Sequence, residues 1–550
     1  MSQTSTLKKV STLSPTTTAT LGVVSPQARD DKMPSGIPFI VANEFAERFC
    51  YYGINAILTI YMTQYLRLGD AQATTWHSLF KSGAYFSPLL GAVISDVFWG
   101  KFRTIMAFSV AYVAGCGVLA LVPGEAGLLM GLFLVALGTG GIKPCVSTNV
   151  GDQFTDKNAH LIERAFSYFY LAINAGSSIS IFFCPVLLKN YGPKLAFGMP
   201  AAMMTVATIV FWLGRKKYAV VPPAGKAWLD EVLSKEGLAT IGRLSIIYLF
   251  VACFWALWDQ SNGQTWTLQA ESSLMDKNIG FGFTLLPAQV QVVNGFFILA
   301  LVPIFTFGIY PLLGKLFEVT PLRKIGMGLF AVAASFVVVA GIEARIQAGH
   351  TVSVWWQIFA YVILTASEVL VSITALEYSY KQAPLRMKSF IMALFLVSTS
   401  VGNLMTAGVN HVMVRPLTAI AAEVGKDTWV TLKDVSGFVS GQKIDFSGAT
   451  GLNVVKEDGK TEPLAGTYLV SDIDSAHSRV RLMDAVNRQS VMSQGAFTSG
   501  ATEISTYNLV GPQYFMFFAY VMAAVGVLFA IVARFIKEKT YVRDESAATA

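Results

Sequence analysis

The chain has 550 residues, of which 53% are hydrophobic and only 14% charged, against roughly 25% charged in a soluble domain. So little charge cannot coat a water-soluble body of this size. The net charge of +7 is scattered through short loops without a basic face, which excludes a nucleic-acid partner.

Residues 1–36 are polar and rich in Ser and Thr, and read as a cytoplasmic tail. They lack the apolar core of a signal peptide, so the first membrane helix is expected to act as its own insertion signal. Twelve apolar segments follow, near 37–66, 76–99, 104–122, 126–149, 163–188, 195–213, 243–268, 288–313, 324–342, 354–380, 387–414 and 512–535. They match the roughly 20 residues that a bilayer core demands of a helix. Lys and Arg concentrate in alternate loops: Lys101 and Arg103, then Arg215, Lys216, Lys217, Lys226, Lys235 and Arg243, then Lys315, Arg323 and Lys324, then Lys381, Arg386 and Lys388. The opposite loops hold little beyond Arg67, Lys189, Lys194, Lys277 and Arg345. The positive-inside rule then places both termini in the cytoplasm.

The segments divide six and six. The chain is expected to comprise the tail 1–36, an N-terminal bundle 37–214, a cytoplasmic linker 215–241 with a short amphipathic helix at Trp228–Lys235, and helices seven to eleven over 242–416. A polar, turn-rich insert at 417–508, helix twelve within 509–536 and a tail 537–550 complete it. In the insert, Thr428–Val435, Lys443–Phe446, Leu452–Lys456, Thr467–Val470 and Ser478–Met483 read as short strands, so a small β domain outside the cell is expected. It carries no N-glycosylation sequon, which favours a bacterial inner membrane. Glycine and a cationic turn recur after segments two and eight (Gly91, Gly100, Lys101; Gly314, Lys315), which fits two parallel repeats.

A charge at mid-bilayer costs about 2.5–3.5 kcal/mol on insertion scales, so each retained one is a candidate for function. Segment one carries Glu44, Glu47 and Arg48 on one helical face, continued by Tyr52 and Asn55. A cation shared by two carboxylates leaves one of them able to take up a proton; a snorkelling interfacial cluster is the alternative. Segment two offers His77, Lys81 and Tyr85 on one face: a titratable site, or an interfacial histidine beside a snorkelling lysine. Segment four carries Lys143 beside Pro144, and segment seven carries Asp259. A Lys143–Asp259 pair would join the two halves, as a gate or as a permanent bridge. Glu368, deep in segment ten, has no basic neighbour at helical spacing. It is either a neutral acid in the core or a partner for a cationic ligand group. Asn174 and Asn294 are neutral polar groups that bind substrate or hold helices together. The five cysteines, Cys50, Cys116, Cys145, Cys184 and Cys253, show neither metal spacing nor a disulfide framework. No nucleophile–base set or metal-ligand cluster stands out, so neither an enzyme nor a metal site is expected.

Four stretches resemble the proton-dependent oligopeptide transporter (POT) family of the major facilitator superfamily. Glu44–Gly53 resembles its E-x-x-E-R-F-x-Y-Y-G motif. Phe169–Ser177 resembles F-Y-x-x-I-N-x-G-S. Gly138–Gly151 resembles the G-T-G-G-I-K-P segment, and Glu368 with Glu377–Pro384 resembles the tenth-helix motif. The resemblance implies an all-α membrane protein with the major facilitator fold, twelve transmembrane helices in two six-helix bundles, here with the β insert between helices 11 and 12. It implies a symporter of protons with di- and tripeptides, monomeric and without a cofactor, driven by the proton gradient. Glu44, Glu47, Arg48, Lys143 and Asp259 would couple protons. Arg48 and Lys143 would attract the peptide carboxylate, and Glu368, Asn174 and Asn294 the amine. Tyr52, Tyr85, Trp255 and Phe395 would line side-chain pockets. Many members have arginine where Asn55 stands and tryptophan where Phe395 stands, and many bacterial members insert two helices between the halves. Transport of another small solute, or peptide sensing through the insert, are the other functions weighed.

Overall fold

The computed structural model describes residues 32–536 except 156, 159–160, 224, 226–229, 231, 383–387, 449, 457–458 and 499–501. Residues 228, 229 and 231 of the expected amphipathic helix at Trp228–Lys235 therefore fall outside the described residues, as do most of the 1–36 tail and all of 537–550.

In the first half the helices are α1 (Ile37–Ile60), α2 (Asp70–Val93), α3 (Lys101–Leu121), α4 (Gly124–Asp152), α5 (Ile162–Tyr191) and α6 (Pro193–Leu213). In the second half they are α7 (Lys235–Ser261), the short α8 (Thr265–Glu271), α9 (Val292–Pro303), α10 (Tyr310–Gly314), α11 (Pro321–Gln347), α12 (Trp355–Glu368), α13 (Thr374–Gln382), α14 (Lys388–Met413) and α15 (Pro512–Val532). Ten spans among the described residues are long and apolar enough to cross a membrane by length and composition. The other two expected segments are α1 and α2, which have the length but bury Glu44, Glu47 and Arg48, and His77 and Lys81. The segment expected at 243–268 starts earlier, at Lys235, and breaks at Asn262–Gln264. Ser234 caps that start, its hydroxyl accepting from Gly237 N at 3.0 Å, so part of the expected linker is helix.

Each half has its own apolar core. One runs from Ile37 to Tyr218 and the other from Val232 to Phe529. Inside the first, α1 packs on α5 and α6, and α4 on α2 and α3; inside the second, α11 packs on α12 and α15, and α7 on α14. The long contact of α2 with α14 joins the halves. Close crossings need the absence of side chains. A Cβ at Gly91 of α2 would collide with the carbonyl oxygen of Gly140 in α4, and one at Gly402 of α14 with that of Ala252 in α7. These are small-residue contacts of the kind that let membrane helices approach. Four helices contain π-helical turns, at Tyr61–Tyr65, Ile94–Trp99, Ile304–Ile309 and Val369–Ile373.

Between α14 and α15 lies the β insert. Its strands are β1 (Val414–Leu417), β2 (Ala419–Glu423), β3 (Trp429–Leu432), β4 (Lys443–Gly448), β5 (Leu452–Val455), β6 (Thr461–Pro463), β7 (Gly466–Asp474), β8 (Arg479–Asp484), β9 (Ser493–Gly495) and β10 (Thr502–Tyr507). Seven form an antiparallel sheet in the order β1-β10-β4-β7-β8-β3-β2, and three a second sheet in the order β6-β5-β9. Alternating Val430, Leu432, Val480 and Leu482 are buried and form a core with Ile444, Phe446 and Val470. All five expected strands are present. The pairing also takes in β1, which carries Pro416 at the edge of the sheet, where a missing N–H costs no ladder bond.

Candidate functional site

On α1, Arg48 Nε lies 2.9 Å from Glu44 Oε1 and 2.7 Å from Glu47 Oε2, with all three residues buried. These are ion pairs by distance; the Nε–H is not aimed along either contact. The second oxygen of Glu47 accepts from the hydroxyl of Thr139 on α4. One cation between two carboxylates is the arrangement expected from the helix face. Thr139, the partner that fixes one carboxylate, did not stand out in the sequence.

Lys143 of α4 is held differently from the expectation. Its ammonium lies 4.3 Å from the ring centre of Tyr51 and 4.0 Å from that of Tyr85. It has no hydrogen-bond partner among the described residues. Two aromatic faces stabilise a cation but satisfy none of its three donors.

Asp259 is therefore not paired with Lys143 here. Lys81 of α2 takes it, at 2.9 Å from Oδ1, and Asn403 of α14 donates to Oδ2 at 2.6 Å. Lys81 is 1% exposed and also donates to the carbonyls of Asp259 at 3.2 Å and Asn262 at 2.8 Å. A lysine aimed into the protein between α2 and the end of α7 does not snorkel. The physical reason for the exchange is reach: the long contact of α2 with α14 brings Lys81 beside α7, while Lys143 is turned toward Tyr51 and Tyr85. Around this pair, Asn55 donates to Asn262 Oδ1 at 2.9 Å. The ring of His77 lies 2.8 Å from Asn55 Oδ1 and 2.8 Å from Thr59 Oγ1, and that hydroxyl donates to Gly263 O. His77 is fully buried, not interfacial. Asn55, His77 and Lys81 thus form one polar lock between the halves, at the end of the molecule nearer the insert. Asn403 and Asn262 belong to it and were not anticipated; a polar residue within the apolar run of α14 was the available signal for Asn403.

Glu368 closes α12. Its Oε2 accepts from Trp258 Nε1 at 3.1 Å and from Asn294 Nδ2 at 3.0 Å. Asn294 also donates to Thr365 Oγ1 at 3.0 Å. The carboxyl faces a cavity between the halves, lined by Tyr52 and Asn174 on one side and Trp258, Asn294 and Tyr361 on the other. Among the described residues no lysine or arginine pairs with it, so it stands as a carboxyl group with two neutral donors beside an open space. Tyr52 joins the two charged regions. Its ring meets that of Tyr51, Lys143's neighbour, at 5.4 Å, edge to face, and it also lines the Glu368 cavity.

Not every expected residue gathers there. Trp255 is half-buried, its ring 5.3 Å from that of Trp258 and its indole N–H without a partner among the described residues, next to the cavity but not among the residues lining it. Phe395 is placed elsewhere. It is 3% exposed in the core of the second half, 5.9 Å from the ring of Tyr248; its side chain points between α14 and α7 rather than into the cavity.

A carboxyl group facing an internal space between two halves of a helical membrane protein, with buried ion pairs within and between those halves, defines the class of a solute transporter. A family model described as the POT family matches residues 102–241 and 227–430, more than half of the chain. Solute carrier family 15 member 2 of Danio rerio is 38% identical over 371 residues, covering 58% of this chain and 51% of that protein. The in meso crystal structure of the POT family transporter PepTSo is 28% identical with a TM-score of 0.68, covering 92% of this chain and 99% of that one. A crystal structure of a proton dependent oligopeptide (POT) family transporter is 34% identical with a TM-score of 0.58, over 68% of this chain and 91% of that one. The chain belongs to the POT family. It is an integral membrane protein with the helical fold of these transporters and a β-rich insert before its last helix. The chain spans about half the length of the curated relatives it matches. Those relatives include zebrafish, fly and human proteins, so they lend no support to a bacterial inner membrane.

Proposed function

We propose that the protein is a proton-coupled symporter that takes up di- and tripeptides by alternating access, across twelve helices in two six-helix bundles. Both termini face the cytoplasm and the insert lies outside. One observation supports this reading above the others: Lys143, without a hydrogen-bond partner among the described residues, packs on Tyr51, while Glu368, a carboxyl with only neutral partners among them, lines the same cavity as the adjoining Tyr52. A zwitterion of limited length complements both. In this reading Lys143 and Arg48 draw the carboxylate, while Glu368, Asn294 and Asn174 hold the amine. Tyr52 and Tyr85 bound the space, with Trp255 at its margin. A proton gained at Glu44 or Glu47 frees Arg48 from one of its two partners, which links titration to carboxylate binding. Lys81–Asp259, with His77 inside the same lock, takes the gating role first given to Lys143–Asp259 and keeps the outer side closed. The names of relatives such as Peptide transporter family 1 of Drosophila melanogaster point the same way.

The test is uptake of a labelled dipeptide into proteoliposomes. An inward proton gradient should drive accumulation, and unlabelled di- and tripeptides should compete while small anions should not. Uptake indifferent to the gradient, or competition by anions alone, would defeat the reading.

A further inference from the structure

The insert touches both halves of the molecule. It is continuous with α14 and α15 of the second half, and Ser273 N donates to Val486 O at 2.8 Å on that side. On the other side it grips the turn between α1 and α2. Arg67 pairs with Glu462, and Asp70 with Lys443. The backbone N–H of Asp70 donates to Thr467 Oγ1 at 2.8 Å, and that of Ala71 to Tyr507 Oη at 2.7 Å. Both hydroxyls in turn donate to Asp445, at 2.6 Å each. Gly69 packs so tightly that a Cβ there would collide with the Asp445 carboxylate.

These contacts do a specific job. The first N–H groups of a helix have no partner within the helix, and the residue preceding α2 is Gly69, which has no side chain to cap them. The insert supplies the cap from more than 390 positions away, with Asp445 orienting both acceptor hydroxyls. A domain fused to one half thus completes the first turn of a helix in the other half. It does so at the same end as the Lys81–Asp259 lock.

We propose that the insert is a latch on the outer gate: it rides on the second half, clasps the α1–α2 turn while the outer side is closed, and must let go of it for that side to open. This rests on the alternating-access reading above, because only a moving outer gate makes the clasp consequential. The insert then acts on the balance between conformations and on turnover, not on the affinity of the central site.

The experiment uses the full chain with its native cysteines replaced and a reporter cysteine at Ser82, which lies buried against Ser400 at 2.9 Å between α2 and α14. Labelling of Ser82→Cys by a membrane-impermeant maleimide reads outer opening without reference to any substrate. Thr467→Val with Tyr507→Phe should speed labelling about tenfold, as expected for lost caps, and leave dipeptide affinity unchanged. Arg67→Ala, which leaves the insert's own sequence intact, should act in the same direction if the double variant fails to fold. Conversely, a disulfide between Asp70→Cys and Thr467→Cys should abolish uptake until reduced. Unchanged labelling in both latch variants with the insert still protease-resistant, or full uptake by the cross-linked protein, would overturn the proposal. Absence of peptide uptake in the parent protein would count against the symport reading while leaving the labelling comparison intact.

Discussion

Replacing Glu368 with glutamine removes one charge and changes one polar atom in a group that already accepts two hydrogen bonds. Trp258 Nε1 and Asn294 Nδ2 both donate to Oε2. The glutamine must keep its carbonyl oxygen there, because its NH₂ would face two donors. The NH₂ is then left where the other carboxylate oxygen was. A substrate ammonium has only protons to offer, so it loses an acceptor and meets a donor. A hydrogen bond to a charged group contributes about 1.5–3 kcal/mol, equivalent to about tenfold to about 150-fold in affinity. The assay compares a dipeptide with its N-acetylated form in competition binding to both proteins. The free dipeptide should lose that factor in Glu368→Gln, and the acetylated form, which brings no cation, should bind both proteins alike. If the variant still prefers the free amine as strongly as the parent does, Glu368 is not its partner.

Lys81→Met should leave Asp259 buried beside Asn403 but without its cation, an imbalance that costs about 3–5 kcal/mol; spin-label distances across the insert-side ends should lengthen, and an unchanged distribution would show that the pair is not holding the halves together. Phe395→Ala should lower stability by about 3–5 kcal/mol as a core truncation, read in thermal unfolding, with side-chain selectivity unaltered; a selectivity change at full stability would return Phe395 to the pocket. Asp445 should make the latch depend on pH. Burial first, and the neighbouring Asp70 second, push its carboxyl up to about 6, against the lowering effect of Thr467, Tyr507 and Lys443. A group whose value is raised in the docked state favours docking while it is protonated, so the latch should be strongest in acid and weaken as pH rises through about 6. Labelling of Ser82→Cys should quicken over that range, and Asp445→Asn should flatten the profile.

The sequence made the individual charges legible because each stood in an apolar helix where its cost is high. Glu44, Glu47 and Arg48 share one helix, so their grouping followed from helical spacing alone. Pairings between helices did not follow. Lys143 and Lys81 were both lone cations, Asp259 was matched to Lys143 alone, and nothing along the chain says which helix faces α7. The structure decides through the α2–α14 contact. Phe395 shows the same limit: its place in the chain is clear, but whether an aromatic ring in α14 faces the cavity or Tyr248 depends on helix rotation. In the insert, strands of alternating Val, Leu and Thr were readable. Ala419–Glu423, with three alanines in five residues, and Val414–Leu417, with its proline, lack that pattern and are recruited by their neighbours in the sheet. The cap on α2 was beyond reach, since Thr467 and Tyr507 lie in another domain.

The π-helical turn Val369–Ile373 begins at the residue after Glu368. An α-helix advances about 100° per residue, and a π turn holds one residue more than the helix around it. Should that turn relax to α, the register slips by one residue, and the part of the helix beyond it rotates by about the same angle relative to Glu368. The Glu368 carboxyl is thus mounted on the collar of a screw thread. A ligand that fixes the collar also fixes the thread, so contact made at mid-membrane can be felt as torque at the far end of the same helix, with no chain of intervening side chains to carry it.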